Sequence, residues 1–265
     1  MRLIKAHAYG NDFLIAPEQE IPDDVDRPDL TRMLCDRHRG VGADGVMFVR
    51  VTETGAVSRL LNADGSRAEV SGNGVRCLAA WLARDRSLTP GARITVETDA
   101  GPKRLTLLDT SGGRFEFRAD MGRPAHVREE TLDVGGGPLK VVVLSVGNPQ
   151  CVVLGPATEA RLHALGSVLA VHPFFPEGTN VELADVESAD RVRILIWERG
   201  VGPTESSGTG TCAAAVAAAM FGGARRTVDV IAPGGVQRVE WTDETIWLTG
   251  WAEVIAEIRW LGPRT

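Results

Sequence analysis

Cysteine is scarce in this chain, four residues in 265. Cys35, Cys77, Cys151 and Cys212 form no C-x-x-C pair, and a chain of this length has no need of disulfide staples. The five histidines, His7, His38, His126, His163 and His172, show no H-E-x-x-H or other paired spacing, so no metal site is expected. Asp36-Arg37-His38-Arg39 reads as a solvated helix end. No Walker loop is present, because no glycine-rich stretch is followed by Lys-Ser or Lys-Thr. Basic residues are outnumbered, 29 against 35, for a net charge of −6. Arg225-Arg226 is an isolated pair, and the missing basic patch excludes a phosphate-tracking nucleic-acid binder. Long apolar runs are missing too. The longest, Cys212 to Phe221, is too short to span a bilayer. Met1 to Ala16 is interrupted by Lys5, His7, Asn11 and Asp12, unlike a signal peptide. These absences predict a soluble, cytoplasmic chain with no nucleic-acid or membrane partner, no metal and no nucleotide.

What is present is an ordinary globular balance, 43% apolar and 24% charged. The length suits one large domain or two ordinary ones. The chain also repeats itself. Ser71-Gly72-Asn73-Gly74 recurs as Ser207-Gly208-Thr209-Gly210, and each opens an Ala/Leu-rich segment with a cysteine near its start. Gly10-Asn11 matches Gly147-Asn148, Gly42-Ala43-Asp44 matches Gly178-Thr179-Asn180, and Asn62 matches Glu198. One deletion between Asn148 and Asn180 keeps the rest in register. The join falls near residues 110 to 125. The expected domains are 1–115, completed by 254–265, and 118–253.

Strand-like stretches dominate. They are Arg2-Lys5, Val46-Val51, Arg93-Glu97, Lys103-Leu108 and Arg114-Ala119, then Leu139-Ser145, Gln150-Leu154, Asn180-Asp185, Arg191-Trp197, Thr227-Ala232, Gln237-Trp241 and Thr245-Gly250. Few long helices appear. The segments after the two Ser-Gly-x-Gly motifs are the best candidates, and neither has a clean polar face, so each should be wrapped by strands. The predicted fold is α+β: two pseudo-symmetric domains, each a curled, mostly antiparallel sheet around a central helix, with the active site between them.

A Ser-Gly-x-Gly motif before a helix exposes unpaired N–H groups at a positive dipole end. Glycine admits a ligand close to the backbone, and the result is an anion site that suits a carboxylate. Ser71 and Ser207 are good N-caps. As a duplicated pair they also suit removal of a proton from one face of a carbon and delivery to the other.

The residues resemble the diaminopimelate epimerase family of cofactor-independent amino-acid racemases and epimerases. The resemblance runs through Tyr9-Gly10-Asn11-Asp12-Phe13, Gly42-Ala43-Asp44-Gly45, Asn62-Ala63-Asp64-Gly65-Ser66 and Gly72-Asn73-Gly74. It continues through Asp120-Met121-Gly122, Gly147-Asn148-Pro149, Pro176 to Val181, Glu198-Arg199-Gly200 and Gly208-Thr209-Gly210. It implies that Asn11, Asn62, Asn148 and Asn180 hydrogen-bond an amino-acid substrate, diaminopimelate being the first candidate. It implies that Arg199 pairs with the distal carboxylate, and that Glu198 lies near the reacting centre. Gly72-Asn73 and Gly208-Thr209 would cradle the α-carboxylate. The catalytic positions fall on Ser71 and Ser207. No cofactor is implied, and a homodimer is among the assemblies the family suggests.

This chain departs from the family where the chemistry lies. Both positions that the family fills with cysteine are serine, and the family's Asn-Pro-His is Asn148-Pro149-Gln150. A hydroxyl is on the order of five units less acidic than a thiol, a gap of ~7 kcal/mol, so thiol-style epimerisation is expected to be slow or absent. Two alternatives follow. One is an isomerase or lyase with a carboxylate base, for which Glu205 is the candidate against its reading as a solvated loop charge. The other is an inactive amino-acid-binding paralog. Cys77 and Cys212 fall inside the expected helices and read as core. Tyr9 reads as packing at a loop base, and His7 as a structural side chain with spare acid/base capacity. Trp81, Trp197, Trp247, Trp251 and Trp260 read as core.

Overall fold

The computed structural model describes residues 1–22 and 24–262. The chain divides into two units, Met1–Ala119 with Trp251–Thr265, and Asp120–Gly250. Of the 254–265 segment expected to complete the first repeat, residues 263–265 lie outside the described residues.

The first stretch of chain runs β1 (Arg2–Ala8), β2 (Asn11–Pro17), α1 (Arg27–Cys35), β3 (Gly45–Val51), β4 (Gly55–Asn62), β5 (Arg67–Ala68), α2 (Gly72–Asp85), β6 (Arg93–Thr98), β7 (Gly101–Asp109) and β8 (Arg114–Asp120). The rest runs β9 (Ala125–Asp133), β10 (Pro138–Ser145), β11 (Pro149–Leu154), α3 (Glu159–Ala170), β12 (Asn180–Ser188), β13 (Arg191–Glu198), β14 (Gly202–Thr204), α4 (Gly208–Phe221), β15 (Thr227–Ala232), β16 (Gly235–Trp241) and β17 (Ile246–Arg259).

The repeat holds at the level of pairing. In the first unit β1 and β2 form a hairpin, β2 runs parallel to β3, β3 antiparallel to β4, β4 parallel to β6, and β6 antiparallel to β7. In the second, β10 and β11 pair antiparallel, β11 runs parallel to β12, β12 antiparallel to β13, β13 parallel to β15, and β15 antiparallel to β16. The expected α+β architecture with one enclosed helix per repeat is therefore observed. Register refines the internal alignment by one residue. Phe13 lies opposite Gly45 and Val46 opposite Leu61; Gln150 lies opposite Asn180 and Val181 opposite Trp197. Gly45, not Asp44, is thus the counterpart of Asn180. Phe13 corresponds to Gln150, and Met47 to Glu182.

Each sheet is covered on both faces. In the first unit Leu14, Ala16, Val46, Phe48 and Leu61 pack with Leu30 and Leu34 of α1 in one core. Side chains alternate along a strand, so Phe13, Ile15, Gly45, Met47, Leu60 and Asn62 take the opposite, α2-facing side. The second unit repeats this: Cys151, Val153, Val181 and Leu183 pack with Leu162 and Leu169 of α3, leaving Gln150, Val152, Asn180, Glu182 and Glu198 on the α4 side. Double coverage explains why β2 is buried along its whole length. It also explains why α2 and α4 lack a polar face: twelve of fourteen residues in α2 and eleven of fourteen in α4 are buried.

Helices α1 and α3 go beyond the sequence reading. The first opens on Asp26, whose carboxylate accepts from Asp29 N at 2.8 Å, with Pro28 in the first turn. The second is masked in sequence by Gly166. A Cβ there would sit 2.8 Å from the Trp197 ring, so the glycine lets α3 lie flat on β13. Strands β2, β4, β5, β9 and β14 also go beyond the sequence reading. β2 begins Asn-Asp and ends in Pro, and β9 is charge-rich and mostly exposed, so neither shows clean alternation.

The third glycine-motif residue behaves differently in the two repeats, which makes a test. A Cβ on Gly74 would lie 3.3 Å from Met47 Sδ, a flexible neighbour, whereas a Cβ on Gly210 would lie 2.5 Å from Oε1 of the fully buried Glu182. Helix propensity favours Ala by about 1 kcal/mol at both places. Overpacking costs about 1–3 kcal/mol only where nothing can yield. Urea unfolding should find Gly74→Ala close to neutral and Gly210→Ala clearly destabilised.

Candidate functional site

Strand alternation puts several of the expected site residues on the helix-facing sides. In the first unit Asn11 and Asn62 take the α2 side. In the second Asn180 and Glu198 take the α4 side. Asn11 and Asn148 each follow a glycine in the left-handed region, Gly10 at φ 88° and Gly147 at φ 84°. Tyr9 shares the first of these turns at φ 56°. Its ring stacks on Trp251 at 4.5 Å and its hydroxyl accepts from Trp251 N at 3.2 Å, so Tyr9 is a packing anchor, as expected.

At the α2 tip, Ser71 is the N-cap: its Oγ accepts from Gly74 N at 3.0 Å. Asn73 is buried and donates from Nδ2 to Asn11 Oδ1 at 3.2 Å, while its own Oδ1 accepts from the guanidinium of Arg76. Asn11 Nδ2 donates to Asp44 at 2.7 Å. Asp44 and Asp12 share the Arg37 guanidinium, and Asp12 also pairs with Lys5 at 2.9 Å. Burial opposes ionisation of Asp12, yet hydrogen bonds from Arg37 and Lys5 hold its carboxyl below the usual range. The chain of contacts fixes both amide side chains. Asn62 lies on the same side, with Nδ2 donating to Ser66 Oγ at 3.0 Å.

At the α4 tip, Ser207 caps in the same way, accepting from Gly210 N at 3.2 Å. Asn180 Oδ1 accepts from Arg199 N at 2.9 Å, and Arg199 donates to Glu177 O at 2.7 Å. Asn180 and Arg199 are therefore brought together. Gln150 sits between Asn148, Thr209 and Glu182. One end of its amide is 2.6 Å from Asn148 Oδ1 and 3.2 Å from Thr209 Oγ1. The other end lies 2.9 and 3.3 Å from the two Glu182 oxygens. Glu182 is fully buried, and burial, helped by the charge of Glu198, raises its pKa well above the carboxylate range.

Sequence reasoning missed Glu182 and Arg76. The signal for each is a lone charge within an apolar run, Val181-Glu182-Leu183 and Val75-Arg76-Cys77. Cys77 and Cys212 are fully buried core residues, and burial pushes the Cys77 thiol up. Glu205 is exposed, which fits a solvated loop charge. His7 is held in place, its Nδ1 accepting from Gly10 N at 3.3 Å and its ring edge on Trp251. Of the five tryptophans expected in the core, Trp81 is buried, whereas Trp197, Trp247, Trp251 and Trp260 are half-buried, Trp260 and Trp197 packing against the cores of their units. Among the described residues no helix is long and apolar enough to cross a membrane.

The diaminopimelate epimerase family model matches residues 3–127 and 142–255. The chain is 40% identical to a diaminopimelate epimerase of Desulforudis audaxviator, over 98% of this chain and 99% of the relative. It is 37% identical to a diaminopimelate epimerase of Heliobacterium modesticaldum, over 94% and 96%. Among solved structures it is similar to a probable proline racemase from Agrobacterium radiobacter, with TM-score 0.78 at 18% identity over 99% of this chain and 93% of that one. It is also similar to a hydroxyproline epimerase from Agrobacterium vitis, with TM-score 0.72 at 16% identity over 97% and 90%. The structural likenesses share the fold. The sequence matches place the chain itself: it belongs to the diaminopimelate epimerase family.

Proposed function

We propose that the chain is a cofactor-independent isomerase acting at the α-carbon of an amino acid, with diaminopimelate in its LL and meso forms as substrate. The observation that supports this reading is the pair of serine-capped Ser-Gly-x-Gly helix tips in a chain matched by diaminopimelate epimerases over nearly its whole length. The helix start at Gly72-Asn73 and the helix start at Gly208-Thr209 each suit a carboxylate and the charge that develops on it as the α-proton leaves. Asn11, Asn62, Asn148 and Asn180 position the amino acid, Glu198 lies beside its ammonium, and Arg199 takes the distal carboxylate.

Ser71 and Ser207 occupy the catalytic positions. Each Oγ already accepts a backbone N–H. That bond and the helix dipole favour a negative oxygen by about 1.5–3 and ~1–2 kcal/mol. Together they fall short of the ~7 kcal/mol that separates a hydroxyl from a thiol. The site therefore binds and pre-organises the substrate better than it removes the proton.

Two measurements test this reading. By calorimetry, diaminopimelate should give heat at millimolar concentration or below, and lysine, which lacks the distal carboxylate, should bind about ten- to hundredfold more weakly. Arg199→Met should erase that difference. In deuterated water, NMR should detect slow α-deuteration, rising at least about hundredfold in the Ser71→Cys/Ser207→Cys variant, since about 2.7 kcal/mol of the gap suffices for that. Binding without any exchange in either protein would favour an amino-acid-binding role. Absence of heat with every isomer would overturn the substrate assignment.

A further inference from the structure

The two repeats differ at a buried pair of positions beneath the helix starts. Where the first carries Phe13 and Met47 on its helix-facing side, the second carries Gln150 and Glu182 at the matching register positions. Both pairs are buried. A thioether fills the slot beneath Gly74 in one repeat, and a carboxyl fills the slot beneath Gly210 in the other. The fold thus accepts an apolar side chain there, and a buried polar pair in its place carries a desolvation cost that packing does not require.

We propose that Glu182 is a positioning residue that sets, through Gln150, the hydrogen-bond polarity of the α4 tip. The amide of Gln150 has two ends, and only two arrangements satisfy them. If Glu182 is ionised, Gln150 turns Nε2 toward it at 2.9 Å and presents Oε1 to Asn148 and Thr209. The Thr209 hydroxyl at 3.2 Å and the Asn148 amide must then donate inward to that oxygen. If Glu182 is neutral, its O–H donates to Gln150 Oε1, and Gln150 Nε2 donates to Asn148 Oδ1 at 2.6 Å and to Thr209 Oγ1. The hydroxyl proton of Thr209 and the N–H groups of Asn148 are then left to donate outward. A neutral Glu182 therefore makes the tip a donor surface for a carboxylate, and an ionised one withdraws those donors.

The surroundings favour the neutral form. Burial and the charge of Glu198, reaching it from β13, both oppose ionisation. From β11 the titratable neighbour is Cys151, itself pushed up by burial and by Glu182. The positive N-terminal end of α4 acts the other way and favours the ionised form, but burial and Glu198 prevail. Anion binding and the proton on Glu182 are thus linked: the ligand binds best to the protonated protein and draws a proton onto it.

This inference rests on the amino-acid reading above only for its ligand, and the test separates the two. Diaminopimelate affinity is measured by calorimetry against pH, in buffers of differing ionisation heat, for the wild type, Glu182→Gln and Glu182→Met. The wild type should lose about tenfold in affinity per pH unit above the titration of Glu182, with proton uptake on binding. Glu182→Gln, whose amide donates to Gln150 at every pH, should bind within about threefold of the wild type at its best and show no such loss. Glu182→Met, which copies the first repeat, should fold and bind at least about tenfold more weakly at every pH. An equal pH loss in wild type and Glu182→Gln overturns the proposal. So does a carboxylic-acid carbonyl band that is absent from the infrared spectrum of the unliganded wild type at neutral pH, or that persists in Glu182→Gln. That spectrum needs no ligand, so a protonated Glu182 in a protein that binds no diaminopimelate would sink the substrate reading and leave the buried acid standing.

Discussion

Each half of this molecule depends on how a buried helix ends at its N-terminus. The first N–H groups of α2 and α4 have no intrahelical partner, and the helices lie against strands that are themselves covered on their far side. A serine hydroxyl satisfies one N–H in each case, the third residue along, Gly74 or Gly210. The residues between are Gly72 and Asn73 in one helix and Gly208 and Thr209 in the other, the segments proposed above to meet the ligand's carboxylate. The cap and the anion site are one arrangement. Substituting the serine cap would cost about 1 kcal/mol in stability, which is why a serine at these positions is at once an ordinary helix residue and a chemically placed one.

The same enclosure decides which side chains reach the tip. Because α1 and α3 take one set of alternating residues, the other set is committed to α2 and α4. Asn11 and Asn62 in one repeat, and Asn180 and Glu198 in the other, fall on the committed side by parity alone. Their polar ends are then fixed by partners that differ between repeats. Asn11 is held by Asp44 and Asn73, part of a network reaching Arg37 and Lys5. Asn180 is held by the backbone of Arg199. The scaffold is duplicated, and the chemistry hung on it has diverged.

Much of this was legible in the sequence because the repeat is written in glycines. Gly10 and Gly147 mark turns in the left-handed region that few other residues adopt, and Gly72 and Gly208 mark the two helix starts, so their spacing carried the architecture. Enclosure of α2 and α4 followed from their all-round apolarity. What was hidden had a common cause, the covering of both sheet faces. It removed the alternation that would have marked β2, and it made Gly166 necessary inside α3, where sequence patterning reads a glycine as a break. It also hid Glu182. A single acid inside Asn180-Val181-Glu182-Leu183 reads as an exposed strand residue until α4 is seen lying over it.

The contrast between Phe13 with Met47 and Gln150 with Glu182 bears on why the two tips are not equivalent. A symmetric scaffold would present the same surface twice, but the α-carbon of an amino acid is not symmetric. The first repeat meets this with fixed polarity: Asn73 is locked between Asn11 and Arg76, with apolar side chains beneath. The second has an amide that can present either end, over an acid whose burial keeps it neutral. A fixed donor set binds whatever anion fits. A donor set that depends on a proton binds an anion only together with that proton, and so couples occupancy of the tip to the charge state of the site. With a hydroxyl rather than a thiol at position 207, the second tip has lost acidity at the cap itself. The group packed directly beneath that helix is a buried acid, whose ionisation burial and the charge of Glu198 both oppose.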